Sequence, residues 1–295
     1  MRKFILDTDW WTDCDDAVAI RLLCNAHIRK EIEVLGININ ACMEFSIPSL
    51  DVFTRDCGVS IPLAIDHSAV GFAGEPSYQQ HLAASGTPLF QNCDVPKSVD
   101  FYSELLKNAS DDSIEILSIG FTQVFARMIR DPELRLLVAK KVKHLWIMAG
   151  KWDENGGKEY NFYKNEITRQ SGSDLCAFWP TPITFLGYEI GESVISGKNL
   201  PDGDLLKQVM TDHGSVNGRS SWDPMLILLA IAGEPEKAGY KCVYGKASVN
   251  AIDGSNYFAE GIYGKHRFVI KLHDDSFYAN EIDGKLPKIS LPADQ

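Results

Sequence analysis

The sequence predicts an α/β protein with an open, mostly parallel, Rossmann-like sheet flanked by helices and a small β-rich C-terminal extension. Two features carry this expectation. Short apolar runs alternate with amphipathic stretches along most of the chain, as βαβ units require. Polar or glycine-rich loops follow several of these runs, and in a parallel sheet such loops share the carboxyl edge, where ligands bind. Phe4–Leu6 reads as the first strand and Asp16–Asn25, with its Ala/Val/Ile/Leu pattern, as the first helix. Val34–Ile39 and Ile61–Ala64 are strands, with a helix near Pro48–Cys57 between them. Ser98–Asn108 is helical because Phe101, Leu105 and Leu106 fall on one face. Ile114–Ile119 is a strand running into Gly120, Phe121–Arg130 a helix, and His144–Met148 a strand ending at Ala149-Gly150. Ile183–Phe185 is one more short strand. Residues 65–97 are rich in Gly, Pro, Ser and Gln and lack periodicity, which suggests a lid or binding loop. Around Tyr257–Tyr278, aromatic and branched residues alternate with polar ones, as in short antiparallel strands.

The chain of 295 residues is 45% hydrophobic, enough for a sizeable core, and is read as a single domain spanning residues 1–295. A formal net charge of −11 argues against nucleic-acid binding, which needs clustered Lys and Arg. No run approaches the roughly 20 apolar residues of a membrane span, and the N-terminus turns acidic too soon for a signal peptide. The seven cysteines include no CxxC pair. A reduced, cytoplasmic setting is expected, with Cys24, Cys42 and Cys176 as core residues.

Five aspartates, Asp7, Asp9, Asp13, Asp15 and Asp16, fall within ten residues between the first strand and the first helix. Two carboxylates about 4 Å apart repel by roughly 1–4 kcal/mol at intermediate to high dielectric. No Lys or Arg lies between Lys3 and Arg21 to relieve them. A hard divalent cation with oxygen ligands is the natural partner. Other readings of the same residues stay open. Asp15 and Asp16 suit a helix N-terminus, Asp7 a supporting role, and Asp13 either ligation or a solvated loop. Asp223 before Pro224 suits a helix N-cap, and Trp222 suits a core.

The segment Leu6-Asp7-Thr8-Asp9 … Asp15-Asp16-Ala17-Val18-Ala19 resembles the opening motif of the inosine-uridine nucleoside hydrolase family. Ser118-Ile119-Gly120-Phe121-Thr122-Gln123, Met148-Ala149-Gly150 followed by Glu159-Tyr160-Asn161, and Ser221-Trp222-Asp223-Pro224 are similar to its later elements, in the same order. The resemblance implies a Ca²⁺-dependent N-ribohydrolase, and a homodimer or homotetramer. The cation would be held by Asp9, Asp16, the carbonyl of Ile119 and Asp223. Asp9 would also be the general base, and Asp15, Glu159 and Asn161 would grip the ribose. This chain departs from the family in three places. The loop from Asp9 to Asp15 is two residues longer than in short members. The family's Asn or Asp after strand two has no clear match around Asn40–Glu44, the nearest candidates being Asn38 and Asn40. Position 222 is Trp, as in purine-preferring members, where pyrimidine-tolerant ones carry a His acid.

N-ribosyl hydrolysis passes through an oxocarbenium-like state. It needs a positioned water, nearby negative charge, and help for the leaving base. The acidic loop suits the first two. The indole of Trp222 would stack on a purine, and His81 or His213 is a candidate acid. Two other functions compete. One is a Mg²⁺-dependent haloacid-dehalogenase-like phosphohydrolase with Asp7 as nucleophile, although Trp11 stands where that class carries Thr or Val. The other is a riboside-binding protein with little or no turnover. An EF-hand loop counted from Asp7 lacks its Gly and Glu. Nucleoside metabolism with a purine leaning is the expected role.

Overall fold

The computed structural model describes residues 1–11, 13–72, 78–262 and 264–289. The apolar runs form β1 (Arg2–Thr8), β2 (Ile32–Ile39), β3 (Leu63–Ile65), β4 (Ile114–Ile119), β5 (Val142–Met148), β6 (Ile183–Leu186), β7 (Ile195–Ser196), β8 (Arg219–Ser220), β9 (Tyr240–Val249), β10 (Asn256–Glu260) and β11 (His266–Lys271). The helices are α1 (Asp15–Ile28), α2 (Ser46–Asp56), α3 (Gln79–Ala84), α4 (Ser98–Lys107), α5 (Gln123–Arg130), α6 (Pro132–Lys141), α7 (Tyr160–Tyr163), α8 (Glu166–Phe178), α9 (Tyr188–Gly191), α10 (Leu205–Asp212), α11 (Trp222–Ala232) and α12 (Asp275–Asp283). Nine strands make one open sheet in the order β10-β9-β11-β6-β5-β4-β1-β2-β3. All neighbours from β3 to β11 pair in parallel, while β9 runs antiparallel to both β11 and β10.

The central strands are apolar on both faces, as a doubly covered sheet demands. Phe4 and Leu6 of β1 join the core formed with α1, α10 and α11, whereas Ile5 between them joins the core under α4, α5, α6 and α8. The helix α1 is buried on nearly every side, including Arg21, whose guanidinium meets both carboxylate oxygens of Asp204 at 3.0 and 2.8 Å. A charge buried this way is tolerated only when paired.

Four expectations change. The β-rich C-terminus continues the main sheet, because β11 docks parallel to β6 and β9 and β10 add to its edge. Tyr278 lies in α12 rather than in a strand, capped by the Asp274 side chain on the Phe277 amide. In the segment 65–97, Tyr78 and Leu82 are buried and α3 packs on α2, so this part of it belongs to the core, while residues 84–97 are mostly exposed; its residues 73–77 lie outside the described set. The phenylalanine and threonine at 121 and 122 precede α5 and do not begin it.

His144 on β5 and His266 on β11 are mostly buried near cations, which holds their pKa values down at about 3 and about 4. His266 Nδ1 accepts from the Ala247 amide at 3.0 Å, so the neutral ring is the folded form. A depressed folded-state value contributes stability that is complete above the ordinary histidine range and is lost as pH falls through that range. The histidine part of the stability, read by urea denaturation as the difference between wild type and variant, should fall from about pH 6.5 toward pH 4 by up to roughly 1.4 kcal/mol per pH unit for each group, set against the opposite contribution of the buried carboxyls whose values are raised. The H266Q variant keeps an acceptor for Ala247 and should fall less steeply; an unchanged slope would remove His266 from the account.

Candidate active site

The chain runs from β1 outward through β2 and β3, then returns to place β4 on the other side of β1. Beyond the carboxyl ends of β1 and β4 lies the crevice that this switch of direction opens. Thr8 and Ile119 are partners at that edge, so Asp9 and Gly120 leave the sheet side by side. A Cβ on Gly120 would stand 2.5 Å from the Asp9 amide nitrogen and 2.9 Å from Asn40 Oδ1; only glycine lets the two strand ends approach this closely. Asn40 ties the edge together. Its amide donates to the Thr8 carbonyl at 2.8 Å, its Oδ1 accepts from the Phe121 amide at 3.1 Å, and its Nδ2 donates to Asp7. Asp7 is fully buried and also accepts from Asn38 Nδ2 and the Tyr102 hydroxyl, each at 2.8 Å. Burial pushes its carboxyl up to about 7 against the pull of these donors. Asp7 is a foundation beneath the edge and does not line the cavity above it.

That cavity, of about 610 Å³, is lined by Asp9, Asp13, Asp15, Asp16, Ile119, Met148, Glu159, Asn161, Trp222 and Asp223. Segments separated by two hundred residues of sequence thus meet. Asp15 and Asp16 sit in the first turn of α1, and Asp223 sits in the first turn of α11. The two helices pack against each other, so both N-terminal ends, with their partial positive charge, face the same carboxylates. Ser221, not Asp223, is the cap residue of α11. Carboxylate oxygens of Asp15, Asp16 and Asp223 lie within 4.8 Å of one another. The Asp223 amide donates to Asp15 at 3.1 Å, and Asp16 accepts from the Thr8 hydroxyl and from the Trp10 amide. Burial, then repulsion from Asp15 and Asp13, pushes the Asp9 carboxyl up to about 8. Burial and the same mutual repulsion hold Asp15, Asp16 and Asp223 well above the carboxylate range.

Glu159 precedes α7 and accepts from the Asn161 amide at 2.7 Å and the Gly150 amide at 2.9 Å; burial raises it to about 7. Asn161 Nδ2 donates to the Met148 carbonyl at 3.0 Å, which fixes its amide at the carboxyl end of β5. The Trp222 indole donates to the Tyr188 carbonyl at 2.7 Å and stacks on the Tyr188 ring at 5.3 Å between centroids. Arg219 lies over the same indole at 5.3 Å and forks onto Asp13 with bonds of 2.9 and 2.7 Å. Asp13 is thereby an ion-pair partner, relieved by a cation remote in sequence. Trp10 and Trp11 are fully buried and do not line the cavity. Trp10 adopts a left-handed φ of 44°, pinned by Ser49 on its indole nitrogen at 2.8 Å and by Gln79 on its carbonyl. His81 pairs with Asp212 at 2.8 Å, exposed and away from the cavity, and His213 lies behind Asp13. Neither lines the cavity as a leaving-group acid would.

Tyr160, Tyr163, Lys158, Tyr188 and Arg219 complete the lining and are not among the sequence candidates. Tyr188 had a signal, since it follows β6 at the same carboxyl edge. Arg219 had only its place four residues before Asp223. Among the cavity donors, Asp9, Asp16, Asp223 and the Ile119 carbonyl form an all-oxygen set. Two oxygens on opposite sides of a Ca²⁺ ion are at most about 5 Å apart, so the spread of Asp15, Asp16 and Asp223, a group that includes Asp15 and not Asp9, fits a hard cation.

A scan against protein-family models and a search of curated proteins find no match. Solved structures do match, over nearly the whole chain. One is an inosine-guanosine nucleoside hydrolase, with a TM-score of 0.73 and 16% identity over 98% of this chain and 100% of that one. Another is a purine-preferring ribonucleoside hydrolase from Gardnerella vaginalis, with a TM-score of 0.71 and 14% identity over 97% and 98%. A third is an inosine-uridine preferring nucleoside hydrolase from Bacillus anthracis, with a TM-score of 0.69 and 16% identity over 97% and 100%. The fold expected from the sequence is the fold these structures share.

The Asp7 foundation is testable. Y102F leaves the buried carboxyl short of one donor and should cost about 1–3 kcal/mol in chemical denaturation. A loss below about 0.5 kcal/mol would mean that Asp7 does not depend on that hydroxyl.

Proposed function

We propose that this protein hydrolyses the N-glycosidic bond of ribonucleosides, with a purine leaning, using one Ca²⁺ ion held by Asp9, Asp16, Asp223 and the Ile119 carbonyl. One observation carries the reading: Asp223 shares a cavity and a 4.8 Å carboxylate group with Asp15 and Asp16, with Asp9 and Ile119 beside them. The three similar folds are described as nucleoside hydrolases, which is support by analogy of fold. The sequence motifs, found independently, fall on the cavity-lining residues.

When bound, the cation would supply Lewis acidity toward a water. Asp9, which lines the cavity beside Asp15 and Asp16, takes the proton of the attacking water as general base. Asp15, Glu159 and Asn161 hold the ribose hydroxyls and fix the ring. The surrounding carboxylates favour positive charge as it develops on the sugar. Trp222 and Tyr188 form an aromatic wall for the departing base. Among the described residues no histidine lines the cavity, so the base leaves with help from stacking and from solvent protons. The phosphohydrolase reading loses its nucleophile, because Asp7 is buried with its oxygens engaged below the cavity. The reading includes one functional unit over residues 1–295, a homodimer or homotetramer, and a cytoplasmic setting. All seven cysteines are free, which suits that setting. Among the described residues no helix is long and apolar enough to cross a membrane.

Incubation with Ca²⁺ and a panel of inosine, guanosine, adenosine, uridine and cytidine should release reducing sugar, fastest from purine substrates. Chelation should stop it, and D223A should lower kcat/KM at least about 100-fold, roughly 2.7 kcal/mol of barrier. Tight nucleoside binding without sugar release would replace the hydrolase reading with the binding one. W222A should slow inosine turnover more than tenfold, about 1.4 kcal/mol, and uridine turnover less. An equal, small effect on both would exclude the indole from leaving-group recognition.

A further inference from the structure

Behind the acidic cavity stands a second group of donors with different chemistry. Asp13, Cys14 and His213 offer one carboxylate oxygen, one thiol sulfur and one imidazole nitrogen, all within 4.8 Å of one another. They come from two places, the turn entering α1 and the residue that ends α10. His213 Nδ1 is held by the Ser215 hydroxyl at 2.8 Å, which aims Nε2 at Asp13. Nε2 stops 3.7 Å from Asp13 Oδ1, too far for a hydrogen bond between them. Donors sharing a tetrahedral Zn²⁺ at its usual bond lengths stand roughly 3.2–3.8 Å apart, and this gap falls within that range. Cys14 is fully buried and its thiol faces the same Ser215 hydroxyl.

We infer that Asp13, Cys14 and His213 form a site for a borderline-soft divalent cation, Zn²⁺ foremost, distinct from the hard-cation site next to it. The two neighbouring sites select by donor type. Oxygen-only ligands suit Ca²⁺, while a sulfur, a nitrogen and one oxygen suit Zn²⁺. Three protein ligands leave a fourth position for water. A cation there would take Asp13 Oδ1, which now accepts from Arg219 Nε at 2.9 Å and the Cys14 amide at 2.7 Å. Arg219 Nη2 would keep its bond to Oδ2. The ion would tie the acidic loop to the end of α10, and Asp13 and Arg219, both lining the cavity, would report its presence to the substrate site.

The test is optical and needs no turnover, so it stands or falls apart from the hydrolase reading. Metal-free full-length protein is first supplied with excess Ca²⁺ and then titrated with Co²⁺ as a visible stand-in for Zn²⁺. One equivalent should produce a near-ultraviolet thiolate-to-cobalt absorption and tetrahedral visible bands, both erased by added Zn²⁺. C14A should abolish the near-ultraviolet band, and H213A should weaken Co²⁺ binding at least tenfold. D223A, which alters only the hard-cation group, should keep it. Circular dichroism of each variant separates loss of fold from loss of ligand. No thiolate band in the wild-type protein, or a band that survives C14A, overturns the assignment.

Discussion

Everything at the carboxyl edge of this sheet answers to one electrostatic constraint: Asp9, Asp15, Asp16 and Asp223 are brought together where water is largely excluded. Their carboxyls are all held above the ordinary range by burial and by each other. Protein cations do little for them directly, since Arg219 is committed to Asp13 and Arg21 to Asp204. Two helix N-termini supply partial positive charge, worth on the order of 1 kcal/mol each at such positions. That is small beside the repulsion among several buried carboxylates. A bound cation, or protons in its absence, must make up the difference.

The scaffold keeps this arrangement from relaxing. Asp7 anchors Asn40 below the edge, Asn40 holds the loops after β1 and β4 together, and Gly120 leaves the space for their contact. On the next residue after Asp9, Trp10 accepts a left-handed backbone, which costs roughly 1–3 kcal/mol. The cost is sustained because its indole, carbonyl and amide are each bonded to a different element. The strain turns the chain back so that α1 begins with Asp15 and Asp16 at the cavity.

Much of this was legible in the sequence, for identifiable reasons. Strands such as Ile114–Ile119 are apolar on both faces and short, so local pattern and tertiary role agree. Asp9, Asp15 and Asp16 declared themselves because like charges that crowd in sequence also crowd in space. Asp223 could be tied to them only through motif resemblance, because no local property of Trp222-Asp223-Pro224 says which loop it faces. The helices α8, α10 and α11 escaped the reading. α11 is apolar all round, so it shows little helical periodicity. Tyr278 looked strand-like because aromatic alternation in a short stretch does not separate a strand from a helix. Tyr160 and Tyr163 in the four-residue α7 and Arg219 in the two-residue β8 were missed because elements this short leave no periodicity and a lone tyrosine or arginine carries no local mark of a pocket.

Arg219 shows how the separate demands are reconciled. Strand β8 and the start of α11 carry Arg219, Trp222 and Asp223 within five residues. One side chain of this segment neutralises Asp13, the next forms the aromatic wall, and the last joins the carboxylate group. A shift of this segment would therefore disturb charge balance, stacking and the carboxylate group together. Because Arg219 spends its fork on Asp13, the outermost carboxylate, the inner four keep their unmet charge. The excess negative charge is thus confined to the deepest part of the cavity, where two helices, two strands and the Ile119 carbonyl converge. A small hard cation suits that place best. An arginine reaching further in would cancel that charge and with it the attraction of the cavity for a cation.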